Sequence, residues 1–191
     1  ALLSKSARRM IDMIHHSLDL YIMERGTYQL TPVPVNVLKV VREVFRTFDG
    51  LVSGKNLASV VLLEQKPAGE SDIFELHGED YLFFSLLSNL IKNALEASPE
   101  GKEVIVSISR SPQPVIAIKN QGAVPEQVRA RFFERYATFG KERGTGLGAF
   151  SARMMAKTLG GDLSLTTNET DGTTLIITLP SSPPSPQAKH S

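Results

Sequence analysis

A helix that carries two asparagines on one face constrains the fold more than any other segment of the chain. From Asp80 to Ser98, apolar residues recur at three- and four-residue steps, as in a helix with a broad buried stripe. Asn89 and Asn93 are four residues apart, so they lie together on one face beside that stripe. Asn is about half a kcal/mol less favourable than Ala inside a helix. The two are therefore either ordinary surface residues or amide oxygens suited to magnesium beside phosphates.

A glycine-rich loop lies further along the chain, directly before a second helical pattern. That pattern runs from Ala149 to Leu159, and the loop before it consists of Gly144, Thr145, Gly146, Leu147 and Gly148. Alternate glycines let backbone N–H groups approach a ligand closely, and the start of a helix favours a phosphate. No Gly-Lys-Ser/Thr follows, which excludes a Walker A loop, and the glycine spacing is not that of the dinucleotide fingerprint. Taken alone, the loop also fits a common glycine-rich turn.

Between these two segments, a strand breaks into a tight turn over Ile118 to Pro125. The three segments, in this order and spacing, resemble the ATP-binding domain of sensor histidine kinases. The same superfamily includes gyrase, the Hsp90 chaperones and the mismatch-repair ATPases. The resemblance runs from about Pro34 to Pro180. Five motifs carry it, in chain order: an N box at Asn89 to Ala97, a first glycine box at Asn120-Gln121-Gly122, an F box at Phe132-Phe133, a second glycine box at Gly144 to Gly148, and a last motif at Gly172-Thr173.

This resemblance implies an α+β fold of the Bergerat type. We expect a two-layer α/β sandwich, with helices on one face of a mixed sheet, preceded by a long dimerisation helix. It also implies that ATP and Mg2+ bind between the asparagine helix and the segment from Pro125 to Gly148. Asn93 and Asn89 would be the catalytic and metal-binding residues. The nucleotide would be bound by Asn120, Gly122, Tyr136, Lys141, Gly144, Thr145, Gly146, Leu147, Gly148 and Thr173.

The expected nucleotide site departs from the family's residues at two positions and matches them at a third. The family's first glycine box has an Asp that accepts a hydrogen bond from the adenine amino group, and Asn120 stands there in this chain. An amide oxygen can accept the same bond without charge assistance. Val124 takes the place of the box's final Gly. Thr173 matches a Thr that supports the same adenine edge through water, although a threonine in a strand is also common.

The stretch from Tyr136 to Arg143 is polar and flanked by glycine, as suits a mobile lid. Lys141 or Arg143 would then screen the triphosphate charge. A solvated run of charges is the alternative interpretation.

One position separates two classes of enzyme within this superfamily. In the hydrolysing relatives, a Glu four residues before the magnesium-binding Asn activates water. Here that position is Asn89, whose amide cannot take a proton at neutral pH. We therefore expect phosphoryl transfer to a protein side chain, the reaction of a protein-histidine kinase, rather than ATP hydrolysis by a gyrase-like clamp. A nucleotide-binding docking module of the same fold, without turnover, is the second hypothesis.

The pattern predicts a helix over residues 3–24 that ends at Gly26. It resembles the second helix of a dimerisation hairpin, which implies a homodimer and a response regulator receiver domain as partner. His15 and His16 are followed by neither the acidic residue nor the proline of the family's phosphoacceptor, so we interpret them as surface residues. The acceptor histidine is expected outside this chain.

Composition limits the remaining function classes. The 191 residues contain 21 Lys plus Arg against 20 Asp plus Glu, a balance that does not favour nucleic acid as a partner. There is no cysteine, which excludes disulfides and thiolate chemistry. No apolar run approaches ~18 residues. The resemblance to sensor histidine kinases implies a cytoplasmic region, with membrane contact only through upstream segments. The predicted division is a partial dimerisation helix over residues 1–30, a catalytic domain over 31–180 and a disordered tail over 181–191.

The remaining patterns predict the elements of the catalytic domain. Thr31 to Pro34 is expected to be an extended linker, and residues 64–71 a polar loop. A helix is expected over residues 35–48. Strands are expected over residues 56–63, 73–76, 104–108, 115–118, 162–166 and 174–179.

Overall fold

The structure is a computed structural model that describes residues 17–137 and 146–182. Its main sheet has six strands in the order β3-β2-β5-β6-β8-β7. Strands β2 and β5 run parallel, and every other neighbouring pair is antiparallel. The bounds are β2 Ala58–Leu63, β3 Lys66–Pro67, β5 Glu103–Ser109, β6 Val115–Asn120, β7 Asp162–Asn168 and β8 Gly172–Thr178.

The helices lie on one face of this sheet. Helix α4 packs between α2 and α6 and also contacts β5 and β6. The short helices α3 and α5 follow α2 and β6 in the chain. The bounds are α1 17–24, α2 Val37–Thr47, α3 Asp49–Gly54, α4 Asp80–Ala97, α5 Glu126–Arg129 and α6 Gly148–Thr158.

The alternation of side chains along the strands explains why the sheet has one covered face. In β5, Val104, Val106 and Ile108 are buried, while the residues between them are half-buried. Strand β6 repeats this pattern with Ile116 and Ile118. Successive side chains of a strand point to opposite faces, so these residues meet the apolar stripe of α4 in one core. The predicted two-layer α/β sandwich with a mixed sheet is confirmed.

A second, two-stranded sheet pairs β1 (Val33–Asn36) with β4 (Glu75–Gly78) in antiparallel register. The Asn36 side chain caps α2 by accepting a hydrogen bond from the Lys39 N–H at 3.3 Å. The linker prediction for Thr31 to Pro34 was therefore wrong at its end, because backbone pairing to β4 continues the extended chain as a strand. The predicted loop over residues 64–71 likewise contains the short edge strand β3.

Residues 17–24 are helical, and this helix ends as predicted. Gly26 has φ +66°, its N–H donates to Met23, and the Thr27 N–H donates to Ile22, which caps the last turn. Leu20 and Met23 are buried in the same core as the sheet. Leu18 and Tyr21 are about half exposed. The rest of the described chain thus covers the side of α1 that carries Leu20 and Met23.

The chain after α1 is fixed by Glu79, the residue just before α4. The Tyr28 hydroxyl donates to Glu79 Oε2 at 2.7 Å, and the Thr31 N–H donates to Oε1 at 2.7 Å. Burial and this hydrogen bond raise the pKa of Tyr28, which keeps the phenol protonated as a donor.

His15, His16 and the predicted tail from residue 183 onward lie outside the described residues. Across the part of the chain that is described, no helix combines the length and apolarity needed to cross a membrane.

Candidate functional site

The start of helix α6 lies against the two asparagines of α4. A Cβ added to Gly148 would be 3.6 Å from Asn89 Oδ1 and 3.6 Å from Asn93 Nδ2. Gly148 is the first residue of α6, so the backbone N–H groups of a helix terminus lie beside both amides. We call the contact among these three residues the α4–α6 junction.

The packing of α4 fixes the two amides at the junction. Leu86, Leu90 and Ile91 are fully buried on the core side of the helix. Asn89 and Asn93 are half-buried beside them. This half-burial distinguishes them from Lys92, which is exposed on the same helix. Their oxygens are hard ligands of the type that magnesium accepts.

A second set of polar residues lies where β6 and β8 pair. Asn120 is opposite Thr173 in the antiparallel register, and the two are only 3% and 4% exposed. Asn120 Nδ2 donates to the Gly122 carbonyl at 3.2 Å, and the Thr173 hydroxyl donates to the same oxygen at 2.7 Å. The amide nitrogen is thereby engaged, which leaves Asn120 Oδ1 as the acceptor for a ligand.

Thr167 extends this set and was not among the predicted site residues. Its hydroxyl accepts a hydrogen bond from the Val124 N–H at 2.9 Å and lies 2.9 Å from the Thr173 hydroxyl. Because the Thr173 proton is given to Gly122, Thr167 must donate to Thr173. We call Asn120, Gly122, Val124, Thr167 and Thr173 the Gly122 cluster. The signal in the sequence was a threonine in β7 at the position that pairs with Thr173.

Close backbone contacts require glycine at two positions, Gly122 within the cluster and Gly172 beside it. A Cβ on Gly122 would be 2.3 Å from the Ala97 carbonyl oxygen at the end of α4. Gly172 has φ +78°, and a Cβ there would be 2.1 Å from the Asn120 carbonyl oxygen. Both glycines of these motifs thus serve packing between elements in the described structure.

Val124 is buried in this arrangement, with 9% exposure. Its carbonyl accepts a hydrogen bond from Arg129 Nε at 2.7 Å, and Arg129 also pairs with Glu169 at 3.2 Å. The turn after β6 is therefore closed by side chains from α5 and β7, at the position where the family has a glycine.

Tyr136, one of the predicted nucleotide-binding residues, is 70% exposed. It has φ +63°, and its N–H donates to the Gly146 carbonyl at 3.0 Å, which ties together the two ends of the intervening segment. Leu147 accepts a hydrogen bond from the Ser151 N–H at 2.8 Å in the first turn of α6. Lys141, Gly144 and Thr145 lie outside the described residues, so their roles remain predictions.

The predicted F box packs beside α6. Phe132 and Phe133 form an edge-to-face pair with ring centroids 5.1 Å apart. The Arg153 guanidinium lies 5.0 Å from the Phe133 ring centroid and donates to Asp162 Oδ1 at 3.3 Å. Burial acts to raise the pKa of Asp162, but hydrogen bonds from the Leu163 N–H and from Arg153 outweigh it and lower that pKa below its usual value.

Within residues 17–137 and 146–182, no group of three or more His, Cys, Asp or Glu side chains could hold a metal ion. Magnesium beside phosphates needs only one or two protein ligands, because phosphate oxygens and water complete its shell. The amides of the α4–α6 junction fit that requirement, and the adjoining helix terminus fits the phosphates.

Comparison with known proteins decides the family. The model of the histidine kinase-, DNA gyrase B- and HSP90-like ATPases matches residues 78–183, more than half of the chain. The chain belongs to this ATPase family. The match begins just before α4 and ends after β8, so it contains both the α4–α6 junction and the Gly122 cluster.

Relatives within this ATPase family include sensor kinases. The chain is 27% identical to the sensor protein EvgS of Escherichia coli over 184 residues, which is 92% of this chain and 15% of EvgS. It is 27% identical to the sensor histidine kinase WalK of Bacillus subtilis, over 90% of this chain and 28% of WalK. The chain therefore spans less than a third of either relative.

Solved structures of the family share the fold. The catalytic domain of histidine kinase ThkA matches with a TM-score of 0.67 at 21% identity, covering 80% of this chain and 99% of that one. The Acinetobacter baumannii histidine kinase AdeS matches with a TM-score of 0.71 at 17% identity, covering 94% of this chain and 84% of AdeS. The predicted resemblance to the ATP-binding domain of sensor histidine kinases is confirmed.

Proposed function

We propose that this chain is the ATP-binding catalytic region of a two-component sensor histidine kinase. It would transfer the γ-phosphoryl group of ATP to a histidine outside these residues, in the cytoplasm and within a homodimer. A response regulator receiver domain would then take the phosphoryl group. The observation that carries this proposal is the α4–α6 junction, where two amides and a helix terminus share one site.

The two described ends of the site would bind different parts of the nucleotide. At the α4–α6 junction, Asn93 and Asn89 would hold Mg2+, which neutralises phosphate charge when bound. The backbone N–H groups at the start of α6 would receive the phosphates. In the Gly122 cluster, Asn120 Oδ1 would accept the adenine amino group, and the Thr173 hydroxyl would support that edge.

The side chains also favour transfer over hydrolysis. Asn89 occupies the position of the water-activating Glu of the hydrolysing relatives, and its amide cannot accept a proton. The Asn89 side chain lies at the junction, so this position would face the phosphates without supplying a base. Positioning and charge neutralisation would then carry catalysis.

The test is a phosphoryl-transfer assay with γ-labelled ATP, Mg2+ and the dimerisation hairpin of the same kinase. We expect label on the hairpin, labile to acid and stable to base, with little free phosphate released. The Asn93→Ala variant should transfer nothing while remaining folded. Steady release of phosphate without labelled protein would contradict the proposal in favour of an ATP-hydrolysing protein.

The second candidate is the nucleotide-binding docking module without turnover. The observation in its favour is the altered first glycine box, with Asn120 and the buried Val124 in place of the family's residues. Nucleotide binding that is intact but accompanied by no transfer would favour this module.

A further inference from the structure

Lys55 is the residue that follows α3, and its ammonium group reaches the far end of α4. Nζ donates to the carbonyl oxygens of Leu95 at 3.0 Å and Glu96 at 2.9 Å, and it also donates to the Ser98 carbonyl. The Lys55 carbonyl in turn accepts the Gly101 N–H at 3.0 Å. One lysine thus binds the last turn of α4 and the turn after it.

An ammonium group that donates to three carbonyl oxygens is well suited to the C-terminal end of a helix. The last carbonyls of a helix lack intrahelical partners and carry the negative end of the helix dipole. A lysine has three N–H donors and a positive charge. Helix α4 has no basic residue in its own last turn, so Lys55 supplies the charge from another element.

The end of α4 that Lys55 holds is the part that contacts the Gly122 cluster. Ala97 lies between Glu96 and Ser98, and a Cβ on Gly122 would approach the Ala97 carbonyl oxygen to 2.3 Å. The carbonyl of Gly122 receives hydrogen bonds from Asn120 and Thr173. A shift of the end of α4 therefore moves Gly122, and with it the partner that fixes the Asn120 amide.

We propose that Lys55 is a positioning residue that determines base recognition by holding the end of α4 against Gly122. The inference rests on the proposed function, because it needs the Gly122 cluster to bind adenine. Lys55 would affect only the end of the nucleotide site that binds the base, because Asn89 and Asn93 lie earlier in α4 and contact α6 instead.

The experiment titrates the chain calorimetrically with Mg-ATP, Mg-GTP and magnesium tripolyphosphate, well below the melting temperature of each variant. Lys55→Met keeps the apolar stem and removes the donors and the charge. We expect about tenfold weaker ATP binding, because the displaced Gly122 would no longer hold the Asn120 amide in place. The preference for ATP over GTP should fall with it, and tripolyphosphate binding should be unchanged.

Two further variants control this comparison. Lys102→Met removes an exposed lysine near the same turn and should leave all three titrations unchanged. Lys55→Arg retains charge and donors and should restore most of the preference for ATP. If Lys55→Met does not fold, Lys55→Gln, which removes the charge but keeps an amide with two N–H donors, is judged by the same criterion.

A residue that only stabilises the fold would lower the melting temperature and leave the affinity of the folded protein unchanged. Unaltered ATP affinity and ATP-to-GTP preference in the folded Lys55 variant would therefore overturn the inference alone. Absence of ATP binding by the wild type would overturn the proposed function, and this inference with it.

Discussion

The side-chain amide of Asn120 donates from Nδ2 to the carbonyl oxygen of Gly122, two residues further along the chain, at 3.2 Å. This bond determines which atom of the amide faces away from Gly122. Oδ1 can accept a hydrogen bond from an amino group such as that of adenine, whereas it would repel a carbonyl oxygen such as that of guanine. The orientation of the Asn120 side-chain amide can therefore determine which base is bound.

The first prediction concerns Asn120→Asp, which restores the residue type of the family. At neutral pH, one carboxylate oxygen would face the Gly122 carbonyl, and this repulsion in a buried position should weaken ATP binding and raise the pKa of the new carboxyl. Protonation in acid would recreate a donor toward Gly122 and an acceptor toward the ligand. We expect the affinity of the variant for ATP to rise as the pH falls, measured calorimetrically from neutral to mildly acidic pH.

The wild type is the control for this titration, since Asn120 carries no charge at either pH. If the Asp variant binds ATP more tightly than the wild type at neutral pH, the amide orientation described above is wrong.

The second prediction concerns the metal. Asn93→Ala removes an amide from the α4–α6 junction, and we expect it to abolish magnesium-dependent ATP binding or transfer while the fold is retained. Lys92→Ala is a matched control on the same helix, because Lys92 is exposed and pairs only loosely with Glu96 at 3.7 Å. Circular dichroism checks folding. Wild-type transfer by the folded Asn93 variant would remove this residue from the site.

The third prediction concerns oligomeric state. Leu18 and Tyr21 are 53% and 50% exposed on α1, whereas Leu20 and Met23 are buried in the catalytic domain. A second copy of the helix would therefore meet the side that carries Leu18 and Tyr21. We expect the wild type to sediment as a dimer and the Leu18→Glu, Tyr21→Glu double variant as a folded monomer.

Deletion of residues 1–30 should also give a monomer, but at a cost in stability, because Leu20, Met23 and the bond from Tyr28 to Glu79 are lost. Wild type and double variant with the same sedimentation coefficient would contradict an interface through α1.

The fourth prediction concerns acid stability. The lowered pKa of Asp162 means that its carboxylate stabilises the fold above the ordinary pKa of 3.8, and that this contribution is lost as the pH falls through the lowered value. Asp162→Asn should reduce the free energy of unfolding at neutral pH by about 0.5 kcal/mol, since the pair with Arg153 is exposed. Urea unfolding measures the free energy of unfolding of both proteins, and the difference between wild type and Asp162→Asn should become smaller at acidic pH. An equal difference at both pH values would rule out a charge effect.

The elements that the sequence predicted well are those in which local pattern and final packing agree. The helix predicted from Asp80 to Ser98 is α4 over Asp80–Ala97, because its apolar stripe is long and regular. The strands predicted over residues 104–108 and 115–118 are the antiparallel pair of β5 and β6.

The elements that the sequence did not predict depend on partners distant in the chain. Strand β1 forms only because β4 pairs with it, and β3 is a two-residue extension of the sheet edge. The Lys55 contacts join residues about 40 positions apart, and Thr167 reaches Val124 across a comparable separation. Local periodicity does not predict such contacts. A threonine in the predicted strand over 162–166 and its continuation was the one hint of Thr167, and its partners, like those of Lys55, are defined only by the folded chain.

The most direct measurement is a calorimetric titration of the wild type and of Asn120→Leu with ATP and with GTP in the presence of Mg2+. We predict that the wild type binds ATP at least about tenfold more tightly than GTP. The Leu variant should lose this preference and bind ATP more weakly by about 1–3 kcal/mol, because the buried amino group of the base is left without a partner. No ATP binding by the wild type, or unchanged ATP affinity in the Leu variant, would contradict this prediction.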